Sequence, residues 1–325
     1  VVQTIHPRSL ISILAWLLWG LSLTACEPKI VEVIPIVVIE EDLSIPGAGD
    51  IHHFTFIEPQ IGFAAGKGPW VYRTTDGGAT WQSIQVAEHG NVQQLGFFNA
   101  TQGICQVNGF IYRTQDGGLT WSDRSLWQVD YVGVTPQGLG VEVDCFNFDC
   151  EVSISTNQGE WFLPIGSVSL HWESLHRIFL YDSLIVINNE DGYVPDFAFG
   201  LNLYSRESVQ FPGSFGTPND LYLSDSYMVT VEKDGFISGL EGNPRREYFR
   251  HNLEYHAVDG MGGRVICVGD HTIAANVDIG EEGIWHELFL AETNGFNNIF
   301  YNVQMLTDST FLVSGDQGLL WKMRL

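Results

Sequence analysis

The stretch Val71-Tyr72-Arg73-Thr74-Thr75-Asp76-Gly77-Gly78-Ala79-Thr80-Trp81-Gln82 recurs almost unchanged as Ile111-Tyr112-Arg113-Thr114-Gln115-Asp116-Gly117-Gly118-Leu119-Thr120-Trp121-Ser122, at an offset of 40 residues. That offset matches one four-stranded blade of a β-propeller. The local chemistry is that of a self-capped hairpin. An apolar-aromatic run supplies a strand. Asp-Gly-Gly then supplies a turn in which glycine accepts positive φ and the Asp carboxylate accepts backbone amides. The flanking threonines can do the same, and the Trp opens the return strand with a large apolar face to bury.

Strand-like apolar runs between Gly, Asp and Asn turns continue along the chain. The runs taken as inner strands begin near Ile61, Gly103, Leu139, Leu184, Tyr227, Arg264 and Thr310, a mean step of about 41 residues. No stretch of twelve residues beyond Cys26 carries clean helical spacing of apolar residues. The expected fold is all-β: a seven-bladed β-propeller with four-stranded antiparallel blades. The last repeat is one strand short, and Ile30 to Ile39 has strand composition without a blade of its own. That segment is expected to close the last blade as its outermost strand, where Pro35 is tolerable.

Thr74, Asp76, Gly78, Thr80 and Trp81, with Thr114, Asp116, Gly118, Thr120 and Trp121, resemble the Asp-box, or bacterial neuraminidase repeat. Ser155-Thr156-Asn157-Gln158-Gly159-Glu160-Trp161 is a decayed third copy, and Asn276 to Gly280 with Trp285 a fainter trace. The sharp match spans residues 61–125. Its form is most similar to the photosystem II stability/assembly factor family of propellers and to related bacterial envelope lipoproteins. The resemblance implies that the box residues are structural and face away from the ligand-binding side. It also implies a non-catalytic role in binding a protein partner or a polysaccharide.

Arg8 precedes an apolar run, Ser9 to Ala25, in the pattern of a secretion signal. The run is shorter than the roughly 20 residues that span a bilayer. It ends in Leu23-Thr24-Ala25-Cys26, which resembles the lipobox of bacterial lipoproteins. That resemblance implies a signal peptide over residues 1–25, lipid attachment at Cys26, a tether with a possible closing strand over 26–50, and the propeller over 51–325. The expected location is the bacterial cell envelope, outside the cytoplasm, and Glu27 after Cys26 favours the outer membrane.

With 15 Lys and Arg against 39 Asp and Glu, the net charge is −24. A field of that sign repels nucleic acid, so no nucleic-acid partner is expected. Cys145 and Cys150 flank a short turn between two strand-like runs, and a disulfide is expected between them. Cys105 and Cys267 lie in apolar strands and read as buried thiols. His52 and His53 are adjacent in a strand, so alternation sends them to opposite faces. No metal site and no cofactor are expected, and the propeller is expected to be monomeric.

The binding face is sought on the longest irregular loops. Its candidates are Trp127, Trp172, Asp191, Tyr193 and Arg250, with the Gly66-Lys67-Gly68 turn and the Cys145–Cys150 loop. The alternative function is a glycoside hydrolase of sialidase-like propeller fold, which needs an arginine cluster and facing carboxylates. The sialidase Arg-Ile-Pro signature is absent. In the assembly-factor relatives an arginine-rich patch marks the partner site; here Arg245, Arg246 and Arg250 form the only basic cluster.

Overall fold

Alternating apolar strands and Asp/Gly turns build a ring of antiparallel sheets in the computed structural model of this chain. The structure describes residues 36–123, 125, 128–146, 149–169, 176–181, 183–189, 198–211, 219–224, 227–232, 235–240, 243–247, 254–276, 285–290 and 296–325.

Six sheets are four-stranded antiparallel blades in which sequence order equals spatial order. The first comprises Ile51–Glu58, Ile61–Gly66, Trp70–Thr74 and Gln82–Gln85; the second Val92–Phe97, Gly103–Val107, Phe110–Thr114 and Ser122–Asp123. The third comprises Tyr131–Val134, Gly140–Phe146, Asp149–Ser155 and Leu163–Ser169; the fourth His176–Tyr181, Leu184–Asn189, Ala198–Asn202 and Ser208–Phe211. The fifth comprises Asp220–Ser224, Tyr227–Glu232, Gly235–Leu240 and Asn243–Glu247; the sixth Tyr255–Met261, Arg264–Gly269, Thr272–Asn276 and Trp285–Glu287. The ring is closed by a sheet of another kind, with five strands in the order Phe289–Leu290, Ile36–Asp42, Leu320–Arg324, Thr310–Gly315, Phe300–Met305.

The expectation of seven uniform four-stranded antiparallel blades is therefore corrected to six such blades and a five-stranded closing sheet of mixed direction. Ile36–Asp42 runs antiparallel to Leu320–Arg324 and parallel to Phe289–Leu290. It is an interior strand of that sheet and not its edge, because the chain leaving the sixth blade crosses over to cover it. Further correction falls on the strands taken as innermost. Each is the second strand of its sheet, with another strand nearer the axis. The second strand is covered on both faces and both edges, so it carries the most continuous apolar run; Gly103–Val107 is buried at every residue. The first strand faces a polar channel and reads as less apolar.

The core lies between neighbouring sheets. Phe63, Ala65 and Val71 of the first blade meet Val92, Phe97 and Cys105 of the second, with the Phe63 and Phe97 rings stacked at 3.6 Å. Each fully buried side chain of this size stabilises the fold by roughly 1.5–3 kcal/mol. Cys145 and Cys150 are directly opposed across the second and third strands of the third blade and form a disulfide, Cα atoms 3.9 Å apart. Cys105 and Cys267 are buried free thiols.

The repeated turns join third and fourth strands. Thr74 Oγ1 donates to Asp76 Oδ1 at 2.7 Å and accepts the Gly78 amide at 2.9 Å. The Thr80 amide and hydroxyl donate to the two Asp76 oxygens at 2.9 and 2.6 Å. Thr114, Asp116, Gly118 and Thr120 repeat the same bonds. Ser155, Asn157 and Gly159 keep part of them, Ser155 Oγ donating to Asn157 at 2.8 Å and accepting the Gly159 amide at 2.9 Å. The turns also lock one blade to the previous one: Gly118 packs on Phe63, and Gly159 on Ile104. Trp81 and Trp121 set their edges against Phe56 and Phe97 at 6.2 and 6.0 Å.

The Thr80 hydroxyl and amide, then Thr74, hold the Asp76 carboxyl down at about 2. A depressed carboxyl contributes stability above its unfolded value near 4, and that contribution is lost as pH falls through about 2. Asp76→Asn is expected to unfold at lower temperature than the parent at pH 7, with the difference shrinking as pH falls from 4 to 2. Thermal melts across that range check it; a pH-independent gap contradicts it.

Candidate binding channel

Strand register defines two ends of the ring. The inner strand of the first blade begins where Ile51 pairs with Gly66, beside the turn at Lys67. Its far end lies by the first–second turn, where Gly62 pairs with Thr74, and the repeated turn follows Thr74. The end carrying Ile51 and Lys67 is called upper here, and the box turns lie at the lower end.

At the upper end several inner strands carry a β-bulge at the same place. Pairing jumps from Ile51–Gly66 to His53–Ala65, leaving His52 unpaired. In the same way Gln93, His256 and Tyr301 are skipped in the second blade, sixth blade and closing sheet. A bulge re-aims the side chain it carries. Here it breaks the alternation expected for His52 and His53, and both line one axial cavity of about 400 Å³. Its wall draws on the inner strand of every sheet, including Gln94, Tyr131, Phe179, Asp220, His256 and Tyr301.

Three of the bulges share a seat. Gly66, Gly269 and Gly315 end their second strands, and a Cβ at any of them would overlap a backbone carbonyl, that of Asp50, Glu254 or Ile299. The next residue donates its amide to that same carbonyl: Lys67 to Asp50 at 2.9 Å, Asp270 to Glu254 at 2.8 Å, Asp316 to Ile299 at 3.0 Å. Each unit therefore delivers one ring, His52, His256 or Tyr301, and one charged residue to the upper rim.

The rings meet. His52 stacks on Tyr301 with centroids 4.4 Å apart and planes 18° from parallel, and His256 lies tilted 5.5 Å from Tyr301. His256 Nε2 sits 3.0 Å from Asp270 Oδ1. Lys67 Nζ is 3.5 Å from Asp50 Oδ2, the Gln317 amide donates to Asp50 Oδ1 at 3.3 Å, and Asn298 donates to Asp316 at 3.4 Å. Burial, then Asp50, Asp316 and Asp270, raise the Tyr301 hydroxyl. Burial lowers His52, opposed by Asp50 and reinforced by His256 and Lys67.

Deeper in the channel, burial pulls His53 down to about 4; His52 adds to this, and a hydrogen bond to the Gln93 backbone opposes it. Burial, then Asp220, raises the Tyr131 hydroxyl. Both Asp220 oxygens are committed to amides, Oδ1 to Leu221 at 2.8 Å and Oδ2 to Val258 of the next blade at 2.9 Å. Among the described residues no group of three or more His, Cys, Asp or Glu is arranged to hold a metal ion.

His53 gives the channel a pH signature. Its folded value lies below the unfolded 6.5, so its contribution is complete above 6.5 and is lost as pH falls from 6.5 toward 4. The ring borders a cavity open to water, so the loss is at most about 3 kcal/mol. His53→Gln is expected to flatten denaturant-unfolding stability between pH 6.5 and 5; an unchanged slope contradicts it.

Cys26, Trp127, Trp172, Asp191, Tyr193 and Arg250 lie outside the described residues. Arg245 and Arg246 lie on the outer strand of the fifth blade, far from the axis. The Gly66-Lys67-Gly68 turn and the Cys145–Cys150 hairpin are at the upper end. The axial rings themselves were not among the sequence candidates. The signal that marks them is a second strand ending in Gly followed by Lys or Asp, with His or Tyr 13 or 14 residues earlier.

No protein-family model and no curated protein sequence matches this chain. The ring of sheets around an axial channel defines a β-propeller. It is similar to the solved structure of YCF48 bound to D1 peptide, at 14% identity and a TM-score of 0.69 over 90% of this chain and 99% of that one. YCF48 from Cyanidioschyzon merolae gives 13% and 0.68 over 87% and 98%. The WD40 repeats of RRP9 give 9% and 0.66 over 90% and 99%. At these identities the likeness is one of fold.

Proposed function

We propose that this chain is a non-catalytic β-propeller that binds a protein partner across its upper face, in an assembly or recognition role. The observation that carries this reading is the upper mouth of the channel. Backbone bulges there present stacked rings and carboxylates that no strand pairing requires, on a scaffold whose lower turns are consumed in holding blades together. The fold likeness to a propeller solved with a bound peptide supports it. The finer proposal is a bacterial lipoprotein, held at the envelope through Cys26 and working outside the cytoplasm; the lipobox-like Leu23-Thr24-Ala25-Cys26 supports it. Against a glycosidase stands the one carboxylate in the cavity wall among the described residues, Asp220, whose two oxygens hold backbone amides.

The test is a photo-crosslinking pull-down with the full chain in its native envelope, a photoreactive residue replacing Lys67 at the upper end or Gln60 at the lower. A stoichiometric protein crosslinked from position 67 and not from 60 supports the proposal. An eluate holding oligosaccharide and no partner protein overturns it.

A further inference from the structure

We propose that the upper channel is a socket for one cationic side chain, an arginine carried on a basic segment of the partner protein. This rests on the partner-binding reading above and names the chemistry of that partner.

Four observations carry it. The His52–Tyr301–His256 ladder offers flat aromatic faces, with centroid spacings of 4.4 and 5.5 Å, on which a planar guanidinium stacks. Asp50, Asp270 and Asp316 surround that ladder from three adjoining parts of the ring, and Glu254 lies beside Asp270; Lys67, on Asp50, is the one lysine or arginine bonded to these carboxylates among the described residues. These carboxylates keep acceptor capacity beyond the bonds they make, which a guanidinium with five donors in a planar fork can use and a single ammonium cannot match. Deeper down, Tyr131 is 9% exposed and lines the cavity, and a phenolic hydroxyl can accept a hydrogen bond from a guanidinium.

Size and field agree with this occupant. A cavity of about 400 Å³ has room for one extended side chain. The net charge of −24 draws a basic segment toward the protein. The segment's backbone then rests on the upper turns while its arginine enters the axis.

The probe is a fluorescein-labelled peptide, Gly-Gly-Arg-Gly-Gly, titrated with the full chain by fluorescence anisotropy, beside its citrulline counterpart. Citrulline keeps the shape and removes the charge. The expected result is saturable binding of the arginine peptide at least tenfold tighter than the citrulline peptide. Asp270→Asn, which keeps the side-chain shape, and Tyr301→Ala are each expected to weaken it tenfold or more. Tyr301→Phe, which keeps the stack, is expected to bind within twofold of the parent and so separates lost stacking from lost fold. Equal binding of the two peptides, or full binding in both weakened variants, overturns the socket. A partner crosslinked from position 67 with no arginine-peptide binding overturns the socket and leaves partner binding standing. Arginine-peptide binding that responds to the variants, with no partner captured, supports the socket and overturns the protein-partner role.

Discussion

Removal of the chain through Asp42 is expected to lower the melting temperature by more than about 10 °C. Val37 is fully buried in the core shared by the sixth blade and the closing sheet, with Ile39 packed against it. Their burial is worth roughly 2 kcal/mol each. The strand also supplies the hydrogen-bonded partner of Leu320–Arg324, and Glu41 and Glu40 take Lys322 and Arg324 at 2.7 and 3.1 Å. Backbone bonds add about 1 kcal/mol apiece net, and the exposed ion pairs less. The sum is roughly 6 kcal/mol or more, and each kcal/mol shifts the midpoint by about 2 °C or more in a chain of this size. Calorimetry on the truncated chain, with Val37→Asp as a full-length comparison, checks this. A midpoint within 2 °C of the parent in both would mean that the strand is only a tether.

Gly269→Ala and Gly66→Ala are expected to cost about 3 kcal/mol each, the upper range for overpacking. The added methyl meets a backbone carbonyl, that of Glu254 or Asp50, which cannot rotate aside as a side-chain tip can. The bulge must open, so the amide bonds from Asp270 and Lys67 to those carbonyls lengthen, and His256 and His52 lose their ring contacts with Tyr301. A fall in melting temperature of about 6 °C is expected, together with loss of the arginine-peptide binding described above. Gly166→Ala is the control, since its Cβ would sit at ordinary contact distance, 3.4 Å, from Leu201. If all three variants melt alike, the carbonyl seat is not what holds the bulge.

The box turns were legible in the sequence because their chemistry is local. Thr74, Asp76, Gly78 and Thr80 satisfy one another within seven residues, so their spacing carries the whole geometry. The Cys145–Cys150 bond was legible for the same reason. The channel was not. Hydrophobic patterning finds the most buried strand, and in this ring that is the second strand of each sheet and not the first. Alternation then misplaces His52 and His53, because a bulge adds a residue without changing the composition around it. The third-copy turn shows how far decay can go: Asn157 replaces the carboxylate, yet the Ser155 and Gly159 bonds survive. What remained visible of the channel was its seat, Gly66-Lys67, Gly269-Asp270 and Gly315-Asp316, whose meaning depends on a carbonyl 15 or 16 residues before the glycine.

The pairing of Ile36–Asp42 with Leu320–Arg324 also sets a timetable for synthesis. The first strand leaves the ribosome about 280 residues ahead of its antiparallel neighbour. At about 5–20 residues per second, the interval is on the order of tens of seconds. Through it an apolar strand with open hydrogen-bonding edges has no place to dock, while the six intervening blades can already assemble on one another. Ring closure is thus a late, long-range event in the life of the chain, and a holding chaperone on the N-terminal strand would act during that interval.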